Sequence, residues 1–218
     1  YYRYDPKGKR ESVVGALPIL SLSFGQGGSL NALYLPGVTE TTKDGAAYRL
    51  SAYGMQNALR FGGGGSLQGY FFIGSREAVN AYAAPNVRDR QRAQVAPSET
   101  AQFIVQQLQL NAGALQLRAN YQDIGKGFSA QKMLGAQNGL DTNQINTWER
   151  ERGIQRFDYA LGLNLGGASL QQSQLRIRDD KGDIKQENWQ LSSNWLNLNW
   201  TRREAAADFR RFKDLGDP

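Results

Sequence analysis

Residues 157–178 have the sequence FDYALGLNL-GG-ASLQQSQLRIR, two alternating segments joined by a pair of glycines. Leucine and aromatic residues take every second position of the first segment, a period typical of a β-strand with one apolar side. Gly166 and Gly167 can adopt the positive φ angles that a tight hairpin turn requires. The stretch therefore predicts an antiparallel β-hairpin.

The same pattern occurs five times along the chain, in residues 16–35, 48–73, 102–124, 157–178 and 184–203. The hairpins alternate with connections at Val38–Ala46, Gly74–Ala101, Gly125–Arg152 and the short Asp179–Asp183. Because successive strands reverse direction, the glycine-rich turns collect at one end of the sheet and the long connections at the other. The sequence predicts an all-β fold, an up-and-down antiparallel meander of about ten strands with short helices in its long loops.

Three segments are expected: an N-terminal extension or loop (1–14), the hairpin meander (15–203) and a C-terminal loop segment (204–218). Residues 115–134 resemble residues 196–215 at a period of 81, which indicates a duplicated hairpin-plus-loop unit whose second copy is truncated. The absence of an initiator Met and of a signal peptide favours a processed chain or a piece of a longer one.

Composition excludes several chemistries. Cys and His are both absent, which rules out disulfides, Cys/His zinc sites and a His-dependent triad. We predict no enzymatic activity, no cofactor and no metal site, and we interpret Gly62–Gly65 as a turn and not a phosphate loop. The net charge is +6, but no lysine-rich run forms the basic stripe typical of nucleic-acid binding. No apolar stretch reaches the ~18 residues of a membrane helix.

Alternation gives each strand one polar and one apolar face. A soluble sandwich and a membrane barrel share this property, but three observations favour the barrel. The polar face is rich in Gln, Asn, Arg and Gly, the strands reach the ~9–11 residues of a tilted membrane strand, and aromatic residues gather near strand ends. The predicted lipid-facing residues are Leu115, Leu117, Tyr121, Tyr159, Leu161, Leu163, Leu196, Leu198 and Trp200.

With its short glycine turns, long loops and absence of Cys, the chain resembles bacterial outer-membrane β-barrel proteins over residues 15–203. The resemblance implies a porin-like transmembrane barrel, or a segment of a larger one, in the bacterial outer membrane. It also implies contact with the lipid bilayer and lipopolysaccharide, and with other barrel segments or envelope proteins. The chain departs from the pattern because it ends in KDLGDP and not in a strand with a terminal aromatic.

The predicted pore-lining residues are Arg60, Gln116, Arg118, Asn120, Asn164, Asn197, Asn199 and Arg202. Inward arginines would favour small anions passing through a pore or secretion channel. Alternatively, arginines pair with Asp123, Asp158 and Glu204 and merely fill the interior. Two other functions stay open: a soluble or cell-surface β-rich module that binds partners through its long loops, and an outer-membrane enzyme with acidic residues at its rim.

The longest connection carries helix signals. Asp141 and Gln144 form a capping-box pattern that predicts a helix through Arg152 ending at Gly153, and Phe128–Leu134 predicts another helical turn. We expect these turns to cover a rim and to bury Phe128, Met133 and Trp148.

Overall fold

The computed structural model describes residues 2–4, 10–12, 17–41, 47–78, 99–134 and 141–206. Ten antiparallel strands form one sheet, and two short strands, β1 (Tyr2–Tyr4) and β2 (Arg10–Ser12), form a separate one. The large sheet contains β3 (Leu17–Ser23), β4 (Gly28–Thr41), β5 (Ala47–Phe61), β6 (Gly65–Ala78), β7 (Glu99–Ala112), β8 (Leu115–Ile124), β9 (Ile154–Asn164), β10 (Ala168–Asp179), β11 (Gly182–Ser193) and β12 (Asn197–Ala205).

The strands follow one another in space in the order of the sequence. This order confirms the all-β, antiparallel ten-strand meander, and all five predicted hairpins are formed. We call the end of the sheet with the five short turns the turn end and the opposite end the loop end. Within the described residues β3 and β12 are edge strands, so the sheet is open there.

The glycine run between β5 and β6 forms a hairpin turn. Gly62–Gly64 make the turn, and Gly65 already begins β6. Gly63 and Gly64 have φ angles of 76° and 81°, which side chains with a Cβ rarely adopt. The run therefore serves the backbone, as predicted.

The loop predicted at Val38–Ala46 is wrong in its first part. Val38–Thr41 belong to β4 and pair with residues 47–50 of β5, whereas residues 42–46 lie outside the described part of the chain. The ladder shifts register between Leu35 and Val38, where the sequence has Pro36 and Gly37. Because a bulge accommodates a proline that cannot donate to the ladder, the strand continues past it. Similarly, β6 and β7 extend into the connection predicted at Gly74–Ala101, of which residues 79–98 are not described.

Residues 125–153, which we call the helical insertion, contain helices α1 (Ala130–Met133) and α2 (Thr142–Arg150); residues 135–140 are not described. The Asp141 carboxylate accepts a hydrogen bond of 3.0 Å from the backbone N–H of Asn143, which confirms the predicted N-cap. No helix in the described part of the chain is long and apolar enough to cross a membrane.

The main core lies between the helical insertion and strands β4–β8. Phe72, Phe103 and Phe128 are fully buried, and the Phe103 ring lies 4.9 Å from Phe128 and 5.1 Å from Trp148. The predicted burial of Phe128, Met133 and Trp148 is thus confirmed, but these side chains pack on one face of the sheet and do not cover its rim.

Candidate functional site

The register assigns every strand residue to one of two faces, because directly opposed residues of antiparallel strands project to the same side. We call the face that carries Gln116 and Arg118 the polar face, and the one that carries Leu115 and Leu117 the apolar face. The helical insertion packs on the loop-end half of the polar face, against Phe72 and Phe103. The two faces therefore differ in what covers them.

The apolar face exposes large hydrophobic side chains in a broad belt. Leu161 is 36% exposed, Leu198 54% and Trp200 51%, and no helix or second sheet within the described residues covers them. Aromatic residues line the loop-end side of this belt: Tyr53, Tyr121, Phe157, Trp189 and Trp200. Such a continuous apolar surface requires a covering medium or partner.

Beyond the aromatic residues, the apolar face becomes charged toward the loop end in β10, β11 and β12. Arg176 pairs with Asp183 at 2.8 Å, Lys185 pairs with Glu187 at 2.6 Å, and Arg202 pairs with Glu204. Along β12 this face thus changes from Leu198 near the turn end, through Trp200, to the ion pair of Arg202 with Glu204 at the loop end.

Of the residues predicted to face lipid, eight lie on the apolar face: Leu115, Leu117, Tyr121, Tyr159, Leu161, Leu163, Leu198 and Trp200. Leu196 lies in the turn before β12, where its backbone is hydrogen-bonded to Ser193.

Two groups of amide side chains on the apolar face form hydrogen bonds with other side chains of the same face. The Gln106 side chain donates to the Asn57 Oδ1 at 3.0 Å, and Gln172 donates to the Tyr159 hydroxyl at 3.0 Å. Because Gly69 lies between Asn57 and Gln106 in the register and has no side chain, the two amides meet above it. Asn57, Gln106 and Gln172 therefore have hydrogen-bond partners on this face, as amides that meet an apolar medium would require.

Seven of the residues predicted to line a pore share the polar face: Arg60, Gln116, Arg118, Asn120, Asn164, Asn197 and Asn199. Arg202 is placed on the other face. It follows Trp200 by two residues in β12, and a strand returns to the same face at that interval. Its guanidinium pairs with Glu204 on that face.

Two rows of directly opposed residues on the polar face border a groove of about 490 Å³ across β8–β12. The first row is Gln116, Gly162, Gln171, Gln190 and Asn199. The second row is Arg118, Ala160, Ser173, Asn188 and Thr201. All five residues of the first row line the groove directly. In the second row, the last four residues also line it.

The acidic residues that could neutralise the inward arginines are engaged elsewhere. Asp123 accepts hydrogen bonds from Gln102 and Gln155, and Asp158 accepts one from Asn120 at 2.5 Å and pairs with Arg156 at 3.3 Å. Among the described residues, no carboxylate pairs with Arg60 or Arg118. Arg60 and Arg118 on the polar face therefore have guanidinium groups that no carboxylate of the described residues neutralises.

The helical insertion is held together by a polar hub as well as by its core. The Glu149 carboxylate accepts hydrogen bonds from the Ser129 hydroxyl and the Gln131 backbone N–H, and it pairs with Arg152 at 3.0 Å. These contacts join α1 to α2 over the sheet. Glu149 is thus a structural group.

The aspartates of the β10–β11 turn also have structural partners. Asp179 accepts hydrogen bonds from the backbone N–H groups of Lys181 and Gly182. A hydrogen bond of 2.7 Å from the Lys126 ammonium to Asp180 lowers the pKa of that carboxyl and ties the insertion to the turn. Within the described residues, acidic side chains form no cluster that could hold a metal ion.

Comparison with protein-family models, curated proteins and solved structures finds no match. Function is therefore inferred from the residues of the two faces. The sequence pattern assigned the amide side chains of β8 and β12 to the polar face, but it did not predict the groove. Gln116, Gln171, Gln190 and Asn199 lie one, three, three and two residues from the turn ends of their strands, so no common spacing indicated the row, and only the full register shows that they are opposed.

Proposed function

We propose that this chain forms the wall of a β-barrel in the bacterial outer membrane and that its polar face lines an aqueous pore. The observation that carries the proposal is the belt of exposed leucine and aromatic side chains on one face, whereas the two helices of the helical insertion pack on the other. Closure requires that the edges of β3 and β12 pair with each other or with further strands.

The dimensions of the belt suit a membrane. From Phe157 to Leu165 the chain takes eight residue steps, about 26 Å along the strand at about 3.3 Å per residue. At a strand tilt of about 40° this corresponds to about 20 Å across the bilayer, comparable to the ~25 Å apolar band of known outer-membrane barrels. The aromatic residues and ion pairs beyond it match an interface and the water outside.

The sheet also has the stagger that a barrel needs. Arg60, Arg118 and Asn188 belong to one row of directly opposed residues. The distance from this row to the turn end grows across the sheet: one residue in β5, which ends at Phe61, three in β8, which begins at Leu115, and five in β11, which ends at Ser193. The line through the turns is therefore oblique to the rows of opposed residues. If the turns lie at one height along the barrel axis, the strands are tilted relative to that axis.

In a closed barrel the helical insertion would lie inside the lumen, because it packs on the polar face. It would narrow the loop end beside β4–β8 and leave the groove of β8–β12 as the open path. The uncompensated guanidinium groups of Arg60 and Arg118 would favour small anions in that path.

Extraction tests the membrane assignment. We expect the full chain to sediment with outer membranes, to require detergent for extraction, and to migrate faster on gels before boiling than after it. Purified protein added to planar bilayers is expected to give stepwise ion currents. A chain that stays in the aqueous phase as a monomer would contradict the proposal and favour the alternative, a β-rich binding module.

Removal of both guanidinium groups tests the solute preference. In Arg60→Gln/Arg118→Gln, we expect the chloride-to-potassium permeability ratio from reversal potentials to fall at least about fivefold, since one unit charge at ~4 Å in water changes the energy of one ion by ~1 kcal/mol. Arg178→Gln is the control because it removes an exposed positive charge from the apolar face. An equal change in both proteins would contradict a lumen lined by the polar face.

A further inference from the structure

The groove of the polar face has unused hydrogen-bonding groups. The side chains of Gln116, Gln171, Gln190, Asn199 and Thr201 make no hydrogen bond with any residue in the described part of the chain. Each offers both a donor and an acceptor. Among the other polar residues of the lining, Asn188 donates to the Ser173 hydroxyl at 3.4 Å, and the Gln172 side chain lies on the apolar face, where it donates to the Tyr159 hydroxyl. The lining is therefore neutral, polar and available.

The floor of the groove is formed by the small residues of β9. Gly162 lies between Gln116 of β8 and Gln171 of β10, and Ala160 lies between Arg118 and Ser173, so the flanking side chains stand above these two small residues. A Cβ at Gly162 would meet no atom closer than 3.8 Å, which shows that the space is empty and not closed by the backbone. The groove volume of about 490 Å³ lies within the range of small-molecule sites.

One border of the groove is cationic. Arg118 opposes Ala160 and follows Gln116 by two residues on the same face. The nearest acidic residue on that face of β9 is Asp158, which is paired with Arg156 and hydrogen-bonded to Asn120. Arg118 itself has no carboxylate partner among the described residues. It can therefore take the anionic group of a ligand.

We infer that this groove binds hydroxyl-rich solutes that carry one anionic group, the class of the sugar acids. Vicinal hydroxyls donate and accept in the same way as the amides, whereas a simple anion would use only Arg118 and an apolar solute would leave the amides unpaired. The inference deepens the proposed function, on which it rests, by naming the solute class of the same pore.

Binding to the full chain in detergent micelles tests the inference by calorimetry with D-glucuronate, D-glucose and acetate. We expect saturable binding of D-glucuronate at least about tenfold tighter than that of D-glucose or acetate, because the charge-assisted bond and the hydroxyl contacts act together. Arg118→Gln should reduce the affinity for D-glucuronate to that for D-glucose. Gly162→Val, which fills the floor without changing charge, should weaken the binding of both sugars.

Arg178→Gln is the control, because Arg178 is exposed but lies on the apolar face, outside the groove. Equal losses in Arg178→Gln and Arg118→Gln, acetate bound as tightly as D-glucuronate, or an unchanged affinity in Gly162→Val would each overturn the inference. Ion currents separate the two proposals. If the protein conducts ions but D-glucuronate neither blocks the current nor binds in micelles, only the inference about the groove is refuted. If D-glucuronate binds but no current is observed, only the proposed pore is refuted.

Discussion

Leu161→Arg is expected to prevent stable insertion of the protein into lipid vesicles. Leu161 lies on the apolar face at the middle of the Phe157–Leu165 segment, and the residue paired with it on β8 is Leu117. An arginine on the lipid face near the bilayer midplane costs about 2–4 kcal/mol. Folding from urea into phospholipid vesicles, followed by gel mobility without boiling, measures the loss as a lower urea midpoint.

The control for this experiment is Asn164→Arg. Asn164 belongs to the same strand, is exposed and lies on the polar face, so the same charge would point into water. We expect its urea midpoint to stay close to that of the parent protein. If both substitutions had equally small effects, as exposed positions of a soluble protein usually do, the apolar face would not meet lipid.

Trp148→Ala and Phe128→Ala are expected to release the helical insertion from the sheet. Both side chains are buried and contact the Phe103 ring, and truncation of such aromatic residues costs about 3–5 kcal/mol. Because they share that ring, the double variant should lose less than the sum of the two. The hydrogen-bonded sheet should persist, since its ladder does not include these residues.

Two measurements follow the released insertion. Trypsin should cut at Lys126, Arg150 or Arg152 in the variants before it cuts the parent protein, and single-channel conductance should rise because the loop end of the lumen widens. Gln144→Ala is the control, since Gln144 is exposed on the same helix, α2. Faster cleavage with unchanged conductance would show that the insertion does not narrow the path.

Local patterns predicted the sheet well because they depend on neighbouring residues. The alternation of Phe157–Leu165 and the glycines after it specify a strand and a turn within twenty residues, so each hairpin could be found independently. The prediction was less accurate where a strand crosses a loop signal. The first hairpin was predicted to end at Leu35, but β4 continues to Thr41 because a register shift absorbs Pro36 and Gly37.

The candidate site was predicted only in part. Counting by twos places Asn197 and Asn199 together, and the same count places Arg202 with Trp200, so its assignment to the polar set departs from the period of the strand. The ion pair of Arg202 with Glu204 agrees with one of the pairings considered from the sequence. Arg60 and Arg118 lack a carboxylate partner among the described residues, and this depends on where residues distant in sequence lie. No local sequence pattern could predict it.

By itself, the sequence determined the ten strands, their antiparallel order and the contrast between their two faces, because side-chain alternation and glycine turns act over a few residues. Tertiary structure alone decided that the helical insertion packs on the polar face. It also decided which amides of β8–β12 join in one groove. Both depend on contacts between residues far apart in the chain, and a one-residue change of register would move every side chain of a strand to the other face.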